Sequence, residues 1–336
     1  MKVTIPEQLK ADIPQTTWGR ILSATPVVMA VVATMLAGLA SSEMTRAQYA
    51  RALAAQQQSK AGDQWSFFQA KRLRGAFQRS TADLMQNTVE VHAFDPVSLN
   101  RNAEQLTSIQ GTAEQQAEAA KLKTELLAFL ESPAGRQALE LIKKAQLPPG
   151  GTLVTPPPTV KAAVEAMDNL RPDAEIAALL AKVDTKTLDL AVDAARDQAL
   201  DFDAATRPIN QAVDQIDAML TRQSGLLGLA VATTASAGRD FTAARLRFTA
   251  LRYETEARLN QAIASLYELQ VRKSNLSAER YHTRSQRFFI GMLGAQLGVI
   301  ISTFAMAARK RNLLWSLAAG AGLIAIAFAI YVYLCV

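Results

Sequence analysis

A single cysteine, Cys335, and two histidines, His92 and His282, are the whole supply of thiol and imidazole groups in 336 residues. One thiol leaves no disulfide framework within a chain and no CxxC metal site. Two histidines far apart in sequence leave zinc chemistry and Ser-His-Asp catalysis almost nothing to work with. No GxxxxGK[ST] phosphate loop, GxGxxG, HExxH or GxSxG pattern occurs. The expectation is a chain without catalytic residues, cofactor or metal, and not an enzyme. Aromatic residues make up only 6% of the chain, and glycine is sparse outside the apolar runs. Alanine, glutamine, glutamate, lysine, arginine and leucine fill the rest, which favours helices over strands.

Charge is missing altogether from three stretches, residues 21–42, 288–308 and 313–336. Each matches or exceeds the roughly 20 residues that carry a helix across about 30 Å of hydrocarbon. They bracket the polar residues 43–287. The fold class expected is an all-α membrane protein: three transmembrane helices, with a long antiparallel, coiled-coil-like helical stalk and a helical head inserted between the first and second spans. A signal-peptide reading of the first run conflicts with its 20-residue, proline-bearing n-region and its long apolar core, so an uncleaved anchor is expected. Trp18, Trp315, Tyr331 and Tyr333 fit interfacial aromatic positions.

The short connection 309–312 holds Arg309, Lys310 and Arg311, a cytoplasmic signal that places the N-terminus, with Lys2, Lys10 and Arg20, on the same side. The insertion then lies outside, in the periplasm of a bacterial inner membrane. Arg46, Arg51, Arg280, Arg284 and Arg287 flank the spans on the insertion side and pull the other way. Long translocated segments obey the charge rule poorly, so the short loop is given more weight.

Along the chain the expected order is an N-terminal tail 1–20, span 21–42, stalk helix 43–90, head 91–238, stalk helix 239–287, span 288–308, basic turn 309–312 and span 313–336. Neither stalk arm contains proline. In the second arm Leu259, Ala262, Leu266, Leu269, Lys273 and Leu276 alternate steps of three and four, a coiled-coil seam. The arms would pair antiparallel, in cis or between protomers, with Trp65, Phe68, Leu259, Leu266, Leu269 and Leu276 as packing residues. At 1.5 Å per residue, an arm of 48 residues would extend about 70 Å.

Within the head, Asp95-Pro96 and Ser132-Pro133 place a capping side chain ahead of proline at the first helical position. Helices are expected near 96–109, 113–131, 133–146, 159–169, 173–205 and 208–222. The Pro/Gly-rich residues 146–160 read as an extended linker or exposed loop. Residues 239–287 hold ten Arg/Lys against five Asp/Glu, while 161–221 hold six against twelve. Opposite signs on these segments suggest that they pair with each other or steer partners. Basic residues without interleaved aromatics or a recognisable module argue against nucleic acid.

Four features are candidate sites. Asp189, Asp193, Asp197 and Asp201 recur every four residues, where like charges cost a few tenths of a kcal/mol per pair. A helical stripe spreads its ligands apart instead of converging them on an ion, so a solvated or arginine-paired face is expected and no metal. The run W-S-F-F-Q-A-K-R-L-R at 65–74 could meet a partner or lipid headgroups, but an aromatic packing layer within the helical pair is the simpler reading. Ala30, Thr34 and Gly38, Gly294 and Gly298, and Ala318 and Gly322 are small-residue faces of the kind that mark helix association in bilayers. Gln296, near the middle of the second span, would seek a hydrogen-bond partner as interhelical glue, or else line a pore.

The first span running into an Ala/Gln-rich helix with W-S-F-F-Q-A-K at 65–71 resembles a bacterial membrane family known only as domain of unknown function 4337. Two further places carry the resemblance: the basic helix around Arg252, Tyr253, Glu254 and Tyr281, and the terminal hairpin with its basic turn and Leu313-Leu314-Trp315. The resemblance implies a three-span helical protein with no assigned activity, and it transfers no catalytic residues. The function expected is a membrane-anchored helical scaffold or accessory subunit, with the lipid bilayer and a second copy or a membrane protein as partners. A sensor whose head binds a ligand, and a channel component, are the alternatives.

Overall fold

The computed structural model describes residues 17–108, 112–227, 232–307 and 311–335. Among them are nine α-helices and no strand: α1 Thr17–Thr88, α2 Pro96–Gln105, α3 Ala113–Glu131, α4 Pro133–Lys144, α5 Pro158–Asp168, α6 Asp173–Lys182, α7 Thr185–Leu227, α8 Ala232–Ala307 and α9 Arg311–Cys335. A 3₁₀ turn, Leu106–Ser108, follows α2. Helices α1, α8 and α9 each contain a window long and apolar enough to cross a membrane. Most of the N-terminal tail, with Lys2 and Lys10, lies outside the described residues, as do Arg309 and Lys310 of the basic turn.

The helix ends follow local chemistry. Thr112 opens α3 with a reciprocal capping box: its Oγ1 accepts from the Gln115 amide, and Gln115 Oε1 accepts from the Thr112 amide. Ser132 caps α4 by accepting from Gly135 N at 3.0 Å, with Pro133 at the first helical position. The expected Asp95 side-chain cap does not form. Its carbonyl instead accepts from Ser98, while its carboxylate takes an ion pair from Lys143 at 3.3 Å. Helix α5 closes with Leu170 in the left-handed region, φ 52, and Arg171 N bonded to Ala166 O. Leu170 is 90% exposed, so its side chain offsets little of the strain. Leu170→Gly is therefore expected to stabilise the fold by about 0.5–1 kcal/mol, a rise in midpoint measurable by chemical denaturation.

The chain divides into two compact units. The first comprises Met1–Gln56 with Val271–Val336, the second Gln57–Gln270. In the first, Met29, Ala33, Leu36 and Ala40 from α1 pack with Phe288 and Ala295 from α8 and with Ala325 and Val332 from α9. The steps of three, four or seven within each set form one buried stripe per span. Ser285 closes one end, its hydroxyl donating to Ala40 O at 2.7 Å.

The second unit has two main hydrophobic clusters. Phe94, Leu99, Leu126, Leu139 and Ile142 meet the Ile209–Leu220 side of α7 and Phe241 and Phe248 of α8. Val160, Ala163, Ile176, Leu180 and Val183 meet Leu188 and Val192 at the other end of α7 and Ile263, Leu266 and Leu269 of α8. Helix α7 thus belongs to both clusters. It also runs straight through Pro208, where a break was expected. The proline removes one amide donor from the helix ladder. One turn earlier Thr206 Oγ1 donates to Phe202 O at 2.9 Å, and Arg207 pairs with Asp203 at 2.6 Å. The helix expected over 173–205 is instead interrupted at 183–184, where Asp184 Oδ2 accepts from Thr187 N at 3.3 Å.

Candidate functional site

Residues 146–157 leave α4 and reach α5 as an exposed strap held to α7 by one side chain. Gln198 Oε1 accepts from Val154 N at 2.9 Å, and its Nε2 donates to Gly150 O and Thr152 O. Gly150 adopts φ 109, and a Cβ on Gly151 would press on Thr255 Cγ2 and the Phe202 ring. The sequence reading as an exposed linker is met by a segment fastened at both glycines.

Beneath the strap lies a cavity of about 650 Å³, walled by the strap, α5, α7 and α8. Leu153, Pro156, Val164, Leu190, Ala194 and Leu259 supply apolar surface. Its volume falls within the range of small-molecule sites, about 300–1,000 Å³. Asp168 lies at the C-terminal end of α5, where desolvation first and the Glu165 charge second raise its carboxyl above the usual range. Lys161 pairs with Glu165 at 3.7 Å. Arg258 has no ion pair or hydrogen bond among the described residues, and it also lines a neighbouring cavity of about 440 Å³ with Arg72 and Arg79. Of these wall positions only Leu259 was singled out in sequence, as a packing residue of the second arm and not as the wall of a cavity. Only the run T-L-V-T-P-P-P at 152–158 marks the place.

The residues at 65–74 form an aromatic layer against α8. Trp65 Nε1 donates to Glu268 Oε1 at 2.7 Å, and Trp65 meets Phe68 edge-on at 5.4 Å. Lys71 pairs with Glu256 and lies over the Tyr253 ring, while Arg79 pairs with Glu254 at 2.6 Å. Of the charges expected to join 161–221 to 239–287, Arg245 and Asp217 meet at 3.2 Å. The basic cluster of α1 takes the α8 glutamates instead. The Arg79–Glu254 pair is exposed, and pairs of that kind contribute about 0–1 kcal/mol each.

Of the expected packing residues, Leu259, Leu266 and Leu269 are buried and Trp65 and Phe68 half-buried, whereas Leu276 is exposed. On the outer side of α1, Leu73, Phe77 and Leu84 share one face and are 72%, 68% and 62% exposed. The aspartates at 189, 193, 197 and 201 form a solvated face. Asp189 accepts from Gln270 at 2.6 Å and Asp193 lies 3.9 Å from Arg196. Among the described residues no cluster of three His, Cys, Asp or Glu side chains could hold a metal ion.

In the first unit, Gly298, Ala318 and Gly322 lie inside the packing of the spans. Met29 fits between the two glycines, where a Cβ on either would strike its thioether end. Ala30 and Thr34 point outward, Thr34 Oγ1 turning back to Ala30 O at 2.9 Å, and a Cβ on Gly38 or Gly294 would meet nothing. The small face of the first span is therefore not the face that packs within the chain. Gln296 is exposed, faces away from the packed interior and has no hydrogen-bond partner among the described residues. Trp315, expected at an interface, is buried, and its Nε1 has no partner among the described residues.

These features define an all-helical protein with three helices fit to cross a membrane and a cavity-bearing helical unit. Residues 18–140 match the family described as Domain of unknown function (DUF4337). The resemblance carried by the first span and by the aromatic run at 65–71 is thereby shown for that stretch. The places at Arg252–Glu254 read from sequence, Tyr281 and Leu313 to Trp315 fall beyond it. No curated protein and no solved structure matches the chain.

Proposed function

We propose that the protein is a membrane-anchored helical scaffold that associates with a second copy of itself. The observation that carries this reading is the stripe of Leu73, Phe77 and Leu84. Single exposed apolar side chains are ordinary, but an aligned stripe over three turns of a water-side helix marks a contact surface. The antiparallel pairing of α1 with α8 would hold that stripe outward. It is supported by the contacts Trp65–Glu268, Lys71–Glu256, Arg79–Glu254 and Gln86–Arg247, in which one number rises as the other falls. Within the bilayer, outward Gln296 gives a second point of association, where interhelical amide bonds contribute about 0.6–2 kcal/mol. The orientation that accompanies this reading keeps the N-terminus and residues 309–312 in the cytoplasm of a bacterial cell.

The full chain in lipid nanodiscs or mild detergent should measure as a homo-oligomer. Burying two such side chains stabilises by about 3–6 kcal/mol, so Leu73→Lys with Phe77→Lys should weaken association at least about tenfold. Gln296→Leu should weaken it less. A wild-type chain that stays monomeric across the accessible concentration range would remove the proposal.

The cavity supports a second reading, an adaptor whose soluble unit binds a small ligand. Its apolar lining and the few polar groups at its ends are the composition of a binding site.

A further inference from the structure

This inference rests on the ligand-binding reading of the cavity under the strap and names the ligand. The cavity is long. Helix α7 lines it from Thr187 to Gln198, eleven residue steps, or about 16 Å. Helix α8 lines it in the opposite sense, from Leu266 back to Arg258. Two contacts fix that sense: Asp189 with Gln270 toward one end, and Gly151 lodged between Phe202 and Thr255 beyond the other. Helix α5 leaves the strap at Pro158 and ends at Asp168.

The charged groups on the walls are Arg258 from α8 and Lys161, Glu165 and Asp168 from α5. At the strap end Arg258 carries an uncompensated guanidinium, and Arg72 and Arg79 line the adjoining cavity, where Glu254 is taken by Arg79. Arg72 lies over the Phe68 ring at 5.8 Å and pairs with no carboxylate among the described residues. On α5, Asp168 is exposed and has no cationic partner among the described residues, and Glu165 is held by Lys161. Between the ends the walls are mainly alanine, leucine, valine and proline, with Thr155, Gln261 and Ser265 among them. A cationic amphiphile with its head at the strap end would set it against Arg258. A neutral apolar molecule would make no use of that exposed guanidinium.

We propose that this cavity binds a single-chain fatty carboxylate, its alkyl chain under the strap and its carboxylate on Arg258. The match is one of length, apolar lining and charge together. Arginine can meet a carboxylate through two parallel N–H donors, which favours this head group over an alcohol. The strap is the part that a bound chain would touch first, because Leu153, Val154 and Pro156 form one wall.

The test is photolabelling of the full chain in nanodiscs of neutral lipid with a diazirine-bearing dodecanoate, the labelled peptides being mapped by mass spectrometry. Label should appear in peptides covering 187–198 and 258–266, saturate, and be competed by dodecanoate but not by dodecylamine or dodecanol. Label in the three spans reports simple partition and serves as the internal reference. Ala194→Trp, at an exposed position on the cavity wall, should lower cavity label at least tenfold and leave span label unchanged. Arg258→Glu should reverse the preference, so that dodecylamine competes and dodecanoate does not. Label confined to the spans would overturn both the proposal and the ligand-binding reading. Saturable cavity label competed best by dodecylamine in the wild-type chain would overturn the carboxylate assignment while leaving a ligand site. Cavity label unchanged by Ala194→Trp would overturn the placement.

Discussion

Phe241→Ala is expected to destabilise the unit formed by residues 57–270 by about 3–5 kcal/mol. Phe241 is fully buried and meets Phe94 edge-on at 5.6 Å, within the cluster built from α2, α3, α4, α7 and α8. Edge-to-face aromatic pairs contribute about 0.5–1.5 kcal/mol beyond their buried area, so the pair is lost along with the volume. Because α7 serves both clusters, the loss should lower the melting of the whole unit instead of freeing one half. Circular dichroism of the full chain in detergent, followed through denaturant, would show a shifted single transition. A midpoint within experimental error of wild type would mean that this ring is not central to the core.

Two glycine replacements should move stability in opposite directions. Gly135 stands in the first turn of α4, where a Cβ would strike the Phe129 carbonyl oxygen at the end of α3. That oxygen already accepts from Ser132 Oγ at 2.6 Å, so it belongs to the corner joining the two helices. Gly135→Ala should cost about 1–3 kcal/mol, the usual penalty for forcing an extra methyl into a packed site. Gly62 lies within α1, and a Cβ there meets nothing within 4 Å. Gly62→Ala should stabilise by about 0.5–1 kcal/mol, because alanine forfeits less backbone entropy in a helix. The same denaturation series measures both, and a destabilised Gly62→Ala would show that an unrecognised neighbour crosses that face.

The three spans were readable because a hydrocarbon core of fixed thickness demands uncharged length, a demand written directly into residues 21–42, 288–308 and 313–336. The helix starts at Pro96 and Pro133 were readable for a similar reason, since proline fits the first helical turn. Pro208 misled because its loss of one donor is local, while α7 is held by apolar neighbours along both clusters. The break at 183–184 carried neither glycine nor proline, only an aspartate accepting from Thr187 N. In the first span, residue size pointed to Ala30, Thr34 and Gly38, yet the inner face uses Met29 and Leu36. Bulk is welcome there because the glycines that receive it belong to the other two spans. The cavity was not readable at all. Its walls come from residues 153–168, 187–198 and 258–266, and no spacing within one segment records that meeting.

The insertion of Met29 between Gly298 and Gly322 works as an axial latch. Sliding α9 by a turn would carry the thioether from Gly322 onto Ala318 or Ile326, and close packing does not accommodate that bulk. Helices α1 and α9 therefore hold one axial register, and an axial shift of one must be a shift of both.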